Sequence, residues 1–193
     1  MKYSIILCDP PWSYNRDTGR GAAKNHYGIM TTKQIADMRD RVQALAADDC
    51  ALFMWATFPT IHTHALPVMD AWGFAYKTAG FVWVKVSKRT GQPVIGPGQY
   101  TRSNVEPCLI GIRGHPVRKS MAVRQVILAP RAGHSVKPAA QYGRIEALYD
   151  GPYIELFARR AVDGWDVDGL EMNGMDYVET ETEVICENEF GIS

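Results

Sequence analysis

The 193-residue sequence predicts an α/β domain whose sheet is mostly parallel and covered by helices on both faces. Short apolar runs with the character of buried strands alternate along the chain with segments that have helical apolar spacing. This alternation is typical of parallel sheets, because the connection between two parallel strands usually carries a helix across one face. A chain of this length can also bury a sizeable core.

Seven segments have the composition of strands. The first, Tyr-Ser-Ile-Ile-Leu-Cys, stops at an acid and two prolines, and the second, Cys-Ala-Leu-Phe-Met-Trp, is apolar throughout. A continuous apolar run of this length is expected of a strand that is buried on both faces. In chain order, the predicted strands are residues 3–8, 50–55, 78–84, 105–112, 123–128, 153–157 and 165–169.

Three segments between these strands are predicted to be helices. Thr31 and Thr32 can cap a helix that runs to about residue 47. Its apolar face consists of Ile35, Met38, Val42 and Leu45. A second helix ends near Trp72, and a third spans 139–149. Two polar stretches that contain glycine, 13–30 and 86–104, are predicted to be loops.

The formal net charge is zero, but the charges are unevenly distributed. Residues 161–193 contain no Lys or Arg and ten acids, four Asp and six Glu. The first 160 residues therefore carry 21 basic and 11 acidic side chains, a difference of +10. A basic body favours a polyanionic partner such as nucleic acid, and residues 173–193 are predicted to form an acidic C-terminal tail.

Several classes of protein are disfavoured by the sequence. No apolar stretch approaches the roughly 18 residues of a membrane span, and no signal peptide precedes the first strand, so a cytoplasmic protein is expected. The four cysteines are widely spaced, which indicates reduced thiols. His62 and His64 lack a neighbouring cysteine or acidic cluster, so no metal site is predicted.

The segment Asp9-Pro10-Pro11-Trp12 directly follows the first predicted strand. One interpretation is purely structural, since proline fixes φ and pushes the residue before it into extended conformations. The other interpretation is functional, because ligands of parallel sheets bind beyond the carboxyl ends of the strands.

These four residues have the chemistry needed to methylate an exocyclic amine. The lone pair of such an amine is conjugated with the base, and the nitrogen must lose some conjugation as it attacks a methyl group. The Asp9 carboxylate and the Pro10 carbonyl could accept its two N–H groups and favour the developing charge. Trp12 offers a face for stacking the base, worth roughly 1–3 kcal/mol.

The same four residues resemble the signature of N6-adenine and N4-cytosine methyltransferases, in which Asp, Asn or Ser precedes Pro-Pro and an aromatic residue. Further stretches follow in order: YGIMT at 27–31, WGF at 72–74, WVK at 83–85, EPCLIG at 106–111, HSVKP at 134–138, IELFAR at 154–159 and GWDVDGLE at 164–171. Together they resemble the MT-A70 family, the adenosine N6-methyltransferases of eukaryotic messenger RNA and their bacterial and phage relatives. The resemblance runs from residue 3 to about 172.

This resemblance implies a Rossmann-like class I methyltransferase domain over residues 1–172, with S-adenosylmethionine as its cofactor. It also implies a permuted order, with the catalytic motif before the cofactor motif. The implied catalytic residues are Asp9, Pro10, Pro11 and Trp12, and the implied base-pocket residues are Tyr27 and Glu106. For the cofactor, the resemblance implies Lys137 at the methionyl carboxylate, Ser135 nearby, Phe157 against the adenine, and Arg159 and Glu171 at the ribose.

The sequence supports these roles unevenly. An acid that closely follows a strand is the usual ribose ligand, and Glu171 follows the last predicted strand. Taken singly, Tyr27, Glu106 and Lys137 could instead be structural or solvated residues. Several cations in or beside the two predicted loops could follow a phosphate backbone: Arg16, Arg20, Lys24, Lys85, Lys88, Arg89 and Arg102.

The leading hypothesis is N6 methylation of adenine in DNA, favoured over RNA because short prokaryotic and phage members of the family act mostly on DNA. Methylation of RNA adenine at N6 or of DNA cytosine at N4 uses the same amine chemistry. A different class is a catalytically inactive, nucleic-acid-binding partner subunit. Such members typically lose the acid of the motif, whereas Asp9 is present here. A homodimer is expected by analogy alone.

Overall fold

The structure, a computed structural model, describes residues 1–13, 29–98, 100–133 and 136–168. These residues contain seven strands, numbered β1 to β7 in chain order. Their bounds are Tyr3–Cys8, Ala46–Trp55, Ala75–Lys85, Val105–Arg113, Val126–Ala129, Tyr153–Leu156 and Trp165–Asp168. The helices α1 to α4 span Thr32–Ala36, Arg39–Leu45, Leu66–Ala71 and Ala140–Leu148. The predicted acidic tail and most of the predicted loop 13–30 lie outside the described residues.

All seven strands belong to one sheet, in the order β5-β3-β4-β2-β1-β6-β7. The pairs β1–β2, β1–β6, β3–β5 and β6–β7 are parallel, whereas β4 is antiparallel to both β2 and β3. The sheet is therefore mixed, with β4 running against the other strands. The cause is the segment 86–104, which joins β3 to β4 without a helical crossover and lets them pair as a hairpin.

The helix predicted over residues 32–47 is two short helices. α1 begins with a capping box, in which the Thr31 hydroxyl accepts from the Gln34 N–H and the Gln34 side chain accepts from the Thr31 N–H. The chain turns after α1, and β2 begins at Ala46 rather than at the predicted Cys50. Because Ala46 pairs with Tyr3 of β1, strand pairing overrides the helical pattern at this point.

The second predicted helix is also less regular than expected. After β2 the chain forms a 3-10 turn over Phe58–Thr60 and a π-helical turn over Ile61–Ala65, and α3 follows. π-helical turns are rare and occur frequently at functional sites. The turn contains His64, whose ring lies 6.0 Å, centroid to centroid, from the ring of Trp12.

Helices pack on both faces of the sheet. Successive side chains of a strand point to opposite faces, so the apolar side chains of one strand can contact helices on both sides. On one face, Ile6 and Cys8 of β1 share a core cluster with side chains of α1, α2 and α3. There the indole N–H of Trp72 donates to a backbone carbonyl of α1 at 2.9 Å. On the other face, Ile5 and Leu7 share a second cluster with α4.

The three cysteines in the described part of the chain, Cys8, Cys50 and Cys108, are free and buried. Burial raises the pKa of all three thiols, to about 12 for Cys50, so they are protonated at neutral pH. None of the described helices is long and apolar enough to cross a membrane.

The topology brings several strand ends to one edge of the sheet. The parallel strands β1, β2 and β6 end in register, with Cys8 beside Met54 and Leu156. Because β4 runs the other way, its first residues, including Glu106, lie at this same edge. We call it the carboxyl edge. The segment Asp9-Pro10-Pro11-Trp12 leaves the sheet here, as the sequence predicts.

β5 is an edge strand whose open side is covered by an arginine. The Val82 N–H of β3 donates to the Gln125 carbonyl, so the carbonyls of Arg124 and Val126 point away from β3. The guanidinium of Arg144, in α4, donates to these two carbonyls at 2.8 and 2.7 Å. A charged side chain over a strand edge opposes pairing with another chain.

We expect Arg144→Met to increase self-association, because the two carbonyls would become free to accept from another strand. Loss of the charge-assisted bonds should also lower the free energy of unfolding by about 1.5–3 kcal/mol. Sedimentation velocity at several concentrations measures the association, with Arg124→Met, which removes an exposed cation beside the edge, as the matched control. Equal association of both variants and the wild type would contradict this role for Arg144.

Candidate active site

The segment Asp9-Pro10-Pro11-Trp12 forms a tight corner at the carboxyl edge. The Trp12 N–H donates to the Pro10 carbonyl at 2.8 Å, and the Met30 N–H donates to the Pro11 carbonyl at 2.9 Å. Pro10 and Trp12 are buried, whereas Asp9 is partly exposed. A carbonyl oxygen has two lone pairs, so the Pro10 carbonyl retains one for a second donor.

The structure shows a packing role for Trp12 at this corner. Its side chain is 6% exposed and belongs to the core cluster on the face of α1 to α3. Its indole N–H donates to the Trp55 carbonyl at 3.2 Å, and its ring lies against that of His64. Trp12 therefore fixes the corner by packing. The stacking role of Trp12 stays a prediction.

Asp9 belongs to a chain of four alternating charges, which we call the charged cluster: Asp9, Lys137, Glu106 and Lys85. Lys137 Nζ lies 2.8 Å from Asp9 Oδ2 and 3.4 Å from Glu106 Oε2. The other oxygen of Glu106, Oε1, accepts from Lys85 Nζ at 2.5 Å. Each of these four side chains is at most 20% exposed. The sequence predicted Asp9, Glu106 and Lys137 as site residues but not their ion pairs.

The ion pairs favour the ionised forms of Glu106 and Lys137. Burial alone would raise the pKa of Glu106, but the charges of Lys137 and Lys85 outweigh it and hold that pKa below its ordinary value. Burial alone would lower the pKa of Lys137, but Asp9 and Glu106 raise it above its ordinary value. At neutral pH, Glu106 is thus an anion and Lys137 a cation.

Two tryptophan rings pack against the charged cluster. Lys137 Nζ lies 5.7 Å from the ring centroid of Trp55, and Lys85 Nζ lies 5.2 Å from that of Trp83. The rings meet edge to face, 6.5 Å apart. The Trp55 indole donates to Gln141 Oε1 at 2.6 Å, and the Trp83 indole donates to a backbone carbonyl of β5 at 2.8 Å. Cation–π attraction to fixed rings therefore adds to the ion pairs of both lysines.

The segment after β6 carries two residues expected at the cofactor. Phe157 has φ of +60°, in the left-handed region that side-chain-bearing residues rarely adopt. Its N–H donates to the Asp168 carbonyl at 2.7 Å, and its side chain is 9% exposed. Arg159, two residues further on, is partly exposed. Backbone strain of this kind costs about 1–3 kcal/mol and clusters at ligand-binding sites.

Sequence reasoning missed Asp168, the last residue of β7. Its two carboxylate oxygens each lie 2.6 Å from Nη2 of Arg41, in α2. The available signal was its place at the end of the strand beside β6, because an acid near such a strand end often binds ribose. Glu171, which the sequence favoured for this role, lies outside the described residues.

Sequence reasoning also missed Glu155, which is buried in β6. Its Oε2 accepts from the Tyr142 hydroxyl of α4 at 2.8 Å. Burial raises the pKa of Glu155 to about 7, although the hydrogen bond from Tyr142 opposes the shift. The signal in the sequence was a single acid inside the apolar run Ile-Glu-Leu-Phe.

Three other predicted site residues, Tyr27, Ser135 and Glu171, lie outside the described residues, as do the cations Arg16, Arg20 and Lys24. Among the remaining cations of the predicted phosphate track, Lys88, Arg89 and Arg102 are exposed. Lys85 differs from them, because its ammonium is committed to Glu106.

The side chains at the carboxyl edge fit S-adenosylmethionine in their chemistry. That molecule carries a carboxylate, an ammonium group and a sulfonium, together with ribose hydroxyls and an adenine ring. Lys137 and Arg159 are cationic donors for its carboxylate and hydroxyls, and the nearby carboxylates of Asp9 and Glu106 make the edge electrostatically compatible with its positive groups. Phe157, a large apolar residue in the core cluster on the face of α1 to α3, directly follows β6, the strand that neighbours β1.

The mixed seven-stranded sheet, with an acidic Asp-Pro-Pro-Trp corner at its carboxyl edge, is consistent with an α/β methyltransferase fold. The sequence profile of the MT-A70 family matches residues 3–171, and the chain belongs to this family.

Three relatives show how similar the chain is to known proteins and how much of each protein it matches. The Type II methyltransferase M.MunI of Mycoplasma sp is 34% identical over 192 residues, covering 89% of this chain and 78% of that protein. The probable N(6)-adenosine-methyltransferase MT-A70-like of Oryza sativa is 27% identical, covering 92% of this chain and 24% of the rice protein. The human N(6)-adenine-specific methyltransferase METTL4 is 26% identical, covering 92% of this chain and 39% of the human protein. The chain thus spans less than half of the rice and human relatives.

Trp12→Ala should destabilise the protein by about 3–5 kcal/mol, because it removes a large buried ring from the core. Trp12→Phe should cost less, since it keeps most of the packing and loses the hydrogen bond to the Trp55 carbonyl. Urea denaturation followed by circular dichroism measures both. If Trp12→Ala kept wild-type stability but lost nucleic-acid binding, this result would support the predicted stacking role and reject the packing role.

Glu155 should make the protein less stable as pH rises. In the unfolded chain its pKa returns to the ordinary value of 4.5, so between pH 4.5 and 7 the unfolded chain releases this proton and the folded chain keeps it. The folded state therefore loses stability through this window, by an amount on the order of 3 kcal/mol.

Glu155→Gln removes this titration while its amide oxygen can still accept from Tyr142. The free energy of unfolding, measured in urea from pH 5 to pH 8, should therefore decline less with rising pH in Glu155→Gln than in the wild type. Parallel declines in the two proteins would show that Glu155 ionises normally in the folded state.

Proposed function

We propose that this chain transfers a methyl group from S-adenosylmethionine to the exocyclic N6 amine of adenine in DNA. The observation that carries the proposal is the Asp9 carboxylate, held by Lys137 at the carboxyl edge of a sheet in a member of the MT-A70 family. An acceptor at this place can orient an amine and favour the charge that develops on its nitrogen. The names of the rice and human relatives support N6 of adenine as the target atom.

DNA is favoured over RNA by the degree of sequence similarity. The chain is 34% identical to the Mycoplasma Type II methyltransferase and 27% identical to the rice adenosine methyltransferase. The prokaryotic members of the family that it resembles act mostly on DNA. The exposed cations Lys88, Arg89 and Arg102 support a phosphate-bearing partner of either kind.

In the proposed reaction, Asp9 and Pro10 accept the two N–H groups of the target amine. Lys137 contacts Oδ2 of Asp9, so Oδ1 remains for the amine. The second lone pair of the Pro10 carbonyl is left beside the one that accepts from the Trp12 N–H. S-adenosylmethionine, when bound, supplies an electrophilic methyl group. A base inside a duplex cannot reach Asp9, so the target must be flipped out or already unpaired.

The other predicted site residues complete the two pockets. For the base we propose Tyr27 and Glu106, with Pro11 and Trp12 keeping the corner rigid. For the cofactor we propose Lys137 at the methionyl carboxylate, Ser135 nearby, Phe157 against the adenine, and Arg159 and Glu171 at the ribose hydroxyls.

We also propose that the domain is permuted, with the catalytic motif preceding the cofactor motif in the chain. The neighbouring positions of β1 and β6 in the sheet support this, because they bring Asp9 and Phe157 to the same edge although β6 comes late in the chain. The methyltransferase domain would comprise residues 1–172, with 173–193 as an acidic tail. A cytoplasmic homodimer is the proposed state of the protein.

Cytosine N4 is the second candidate target, because an acceptor pair for an exocyclic amine does not by itself distinguish adenine from cytosine.

The decisive experiment is incubation of the protein with isotope-labelled S-adenosylmethionine and unmethylated duplex DNA, single-stranded DNA or RNA. Nucleoside mass spectrometry then identifies the product. N6-methyldeoxyadenosine would support the proposal. N4-methyldeoxycytidine, a product on RNA alone, or no product would contradict it.

Asp9→Ala should slow methyl transfer at least about 10²-fold, because it removes the acceptor for the amine. Single-turnover methyl transfer at saturating S-adenosylmethionine measures this loss, and calorimetry determines the cofactor concentration that saturates the variant. Asp150→Ala, which removes an exposed carboxylate that pairs with Lys119 just before β6, is the matched control and should react at the wild-type rate. Wild-type transfer by folded Asp9→Ala would reject Asp9 as the amine acceptor.

A further inference from the structure

Lys85 is the one member of the charged cluster to which the proposed function gives no role at the methyl-transfer site. It ends β3, and the backbone pairing of β3 with β4 places Trp83 opposite Glu106. Its ammonium lies 2.5 Å from Glu106 Oε1 and 5.2 Å from the Trp83 ring centroid. The side chain is 19% exposed, unlike the exposed Lys88 and Arg89 that follow it.

The two oxygens of Glu106 have different partners. Oε1 faces Lys85, and Oε2 faces Lys137 at the longer distance of 3.4 Å. Lys137 is thus shared unequally, since it lies closer to Asp9, at 2.8 Å. In a buried cluster each ammonium moves toward the carboxylate whose charge is least compensated. Lys85 compensates Glu106 and so leaves Asp9 as the stronger partner for Lys137.

We infer that Lys85 is a positioning residue of the methyl-transfer site: by pairing with Glu106, it keeps Lys137 on Asp9. The inference rests on the proposed function of that site and deepens it. Without Lys85, Glu106 has Lys137 as its remaining partner in the charged cluster. Lys137 then moves toward Glu106, away from Asp9 and from the place proposed for the cofactor carboxylate. Lys85 thus acts on the reaction through two other side chains.

The test is a double-mutant cycle on cofactor affinity, measured by calorimetry with S-adenosylmethionine. Lys85→Met should weaken binding about tenfold, as expected for a disturbed charge-assisted contact. Lys85→Arg, which keeps a cation for Glu106, should restore affinity to within about threefold of the wild type. Lys119→Met, which breaks an exposed ion pair with Asp150, is the matched control and should leave affinity unchanged.

The cycle is completed in a Glu106→Gln background, where no carboxylate remains to draw Lys137 away from Asp9. There Lys85→Met should have little effect, so the two substitutions should be strongly non-additive. If Lys85 only stabilised the fold, Lys85→Met would lower cofactor affinity by a similar factor in both backgrounds. That result would overturn the inference. So would wild-type affinity in Lys85→Met alone. Urea denaturation of each variant confirms that the folded state is being compared.

A second measurement needs no cofactor and therefore separates this inference from the proposed function. It is the crystal structure of the cofactor-free Lys85→Met variant beside that of the wild type. In Lys85→Met, Lys137 Nζ should lie closer to Glu106 than to Asp9, the reverse of the present distances of 3.4 and 2.8 Å. A Lys137 that stays on Asp9 in Lys85→Met would overturn the inference. A wild-type protein that fails to bind S-adenosylmethionine, but whose Lys137 moves to Glu106 in Lys85→Met, would reject only the proposed function.

Discussion

The ion pair between Lys137 and Asp9 is the contact on which the organisation of the candidate site depends. It joins the end of β1 to the segment before α4, two parts of the chain 128 residues apart. A buried charge without a partner would be strongly destabilising, so neither residue can be held at this edge alone. Glu106 and Lys85 extend the pair into a formally neutral cluster. The rings of Trp55 and Trp83 then give both ammonium groups a second attraction.

The antiparallel strand β4 makes this cluster possible. Had the connection from β3 crossed the sheet as a helix, β4 would run parallel, and Glu106, near its first residue, would lie at the opposite edge from Asp9. The hairpin reverses the strand and brings Glu106 beside Lys85 and Lys137. One short-range feature of the chain, a connection without a helix, thus decides which charges meet.

The sequence predicted what local patterns encode. Apolar runs predicted all seven strands, with β1 at its observed bounds, and the position of Asp9 after β1 predicted that it would lie at the carboxyl edge. Such local patterns do not predict contacts between segments that are distant in the chain. The Lys137–Asp9 pair, the burial of Trp12 and the reversal of β4 each depend on which strands become neighbours. The split of the first helix has a similar cause, since Ala46 is taken by pairing with Tyr3.

The carboxyl edge carries more features that lower stability than the rest of the sheet does, and this difference supports the position of the candidate site without reference to any motif. Ion pairs away from the site, such as Lys119–Asp150, are largely exposed and contribute little to stability. At the carboxyl edge the chain maintains buried charges and a left-handed Phe157, and Glu155, buried in the strand that leads there, has a raised pKa. Such features lower stability unless their surroundings enforce them, and in natural proteins they concentrate where a ligand or a reaction requires them. Their convergence on the end of β1 therefore supports, from energetics alone, the site that Asp9-Pro10-Pro11-Trp12 marks in the sequence.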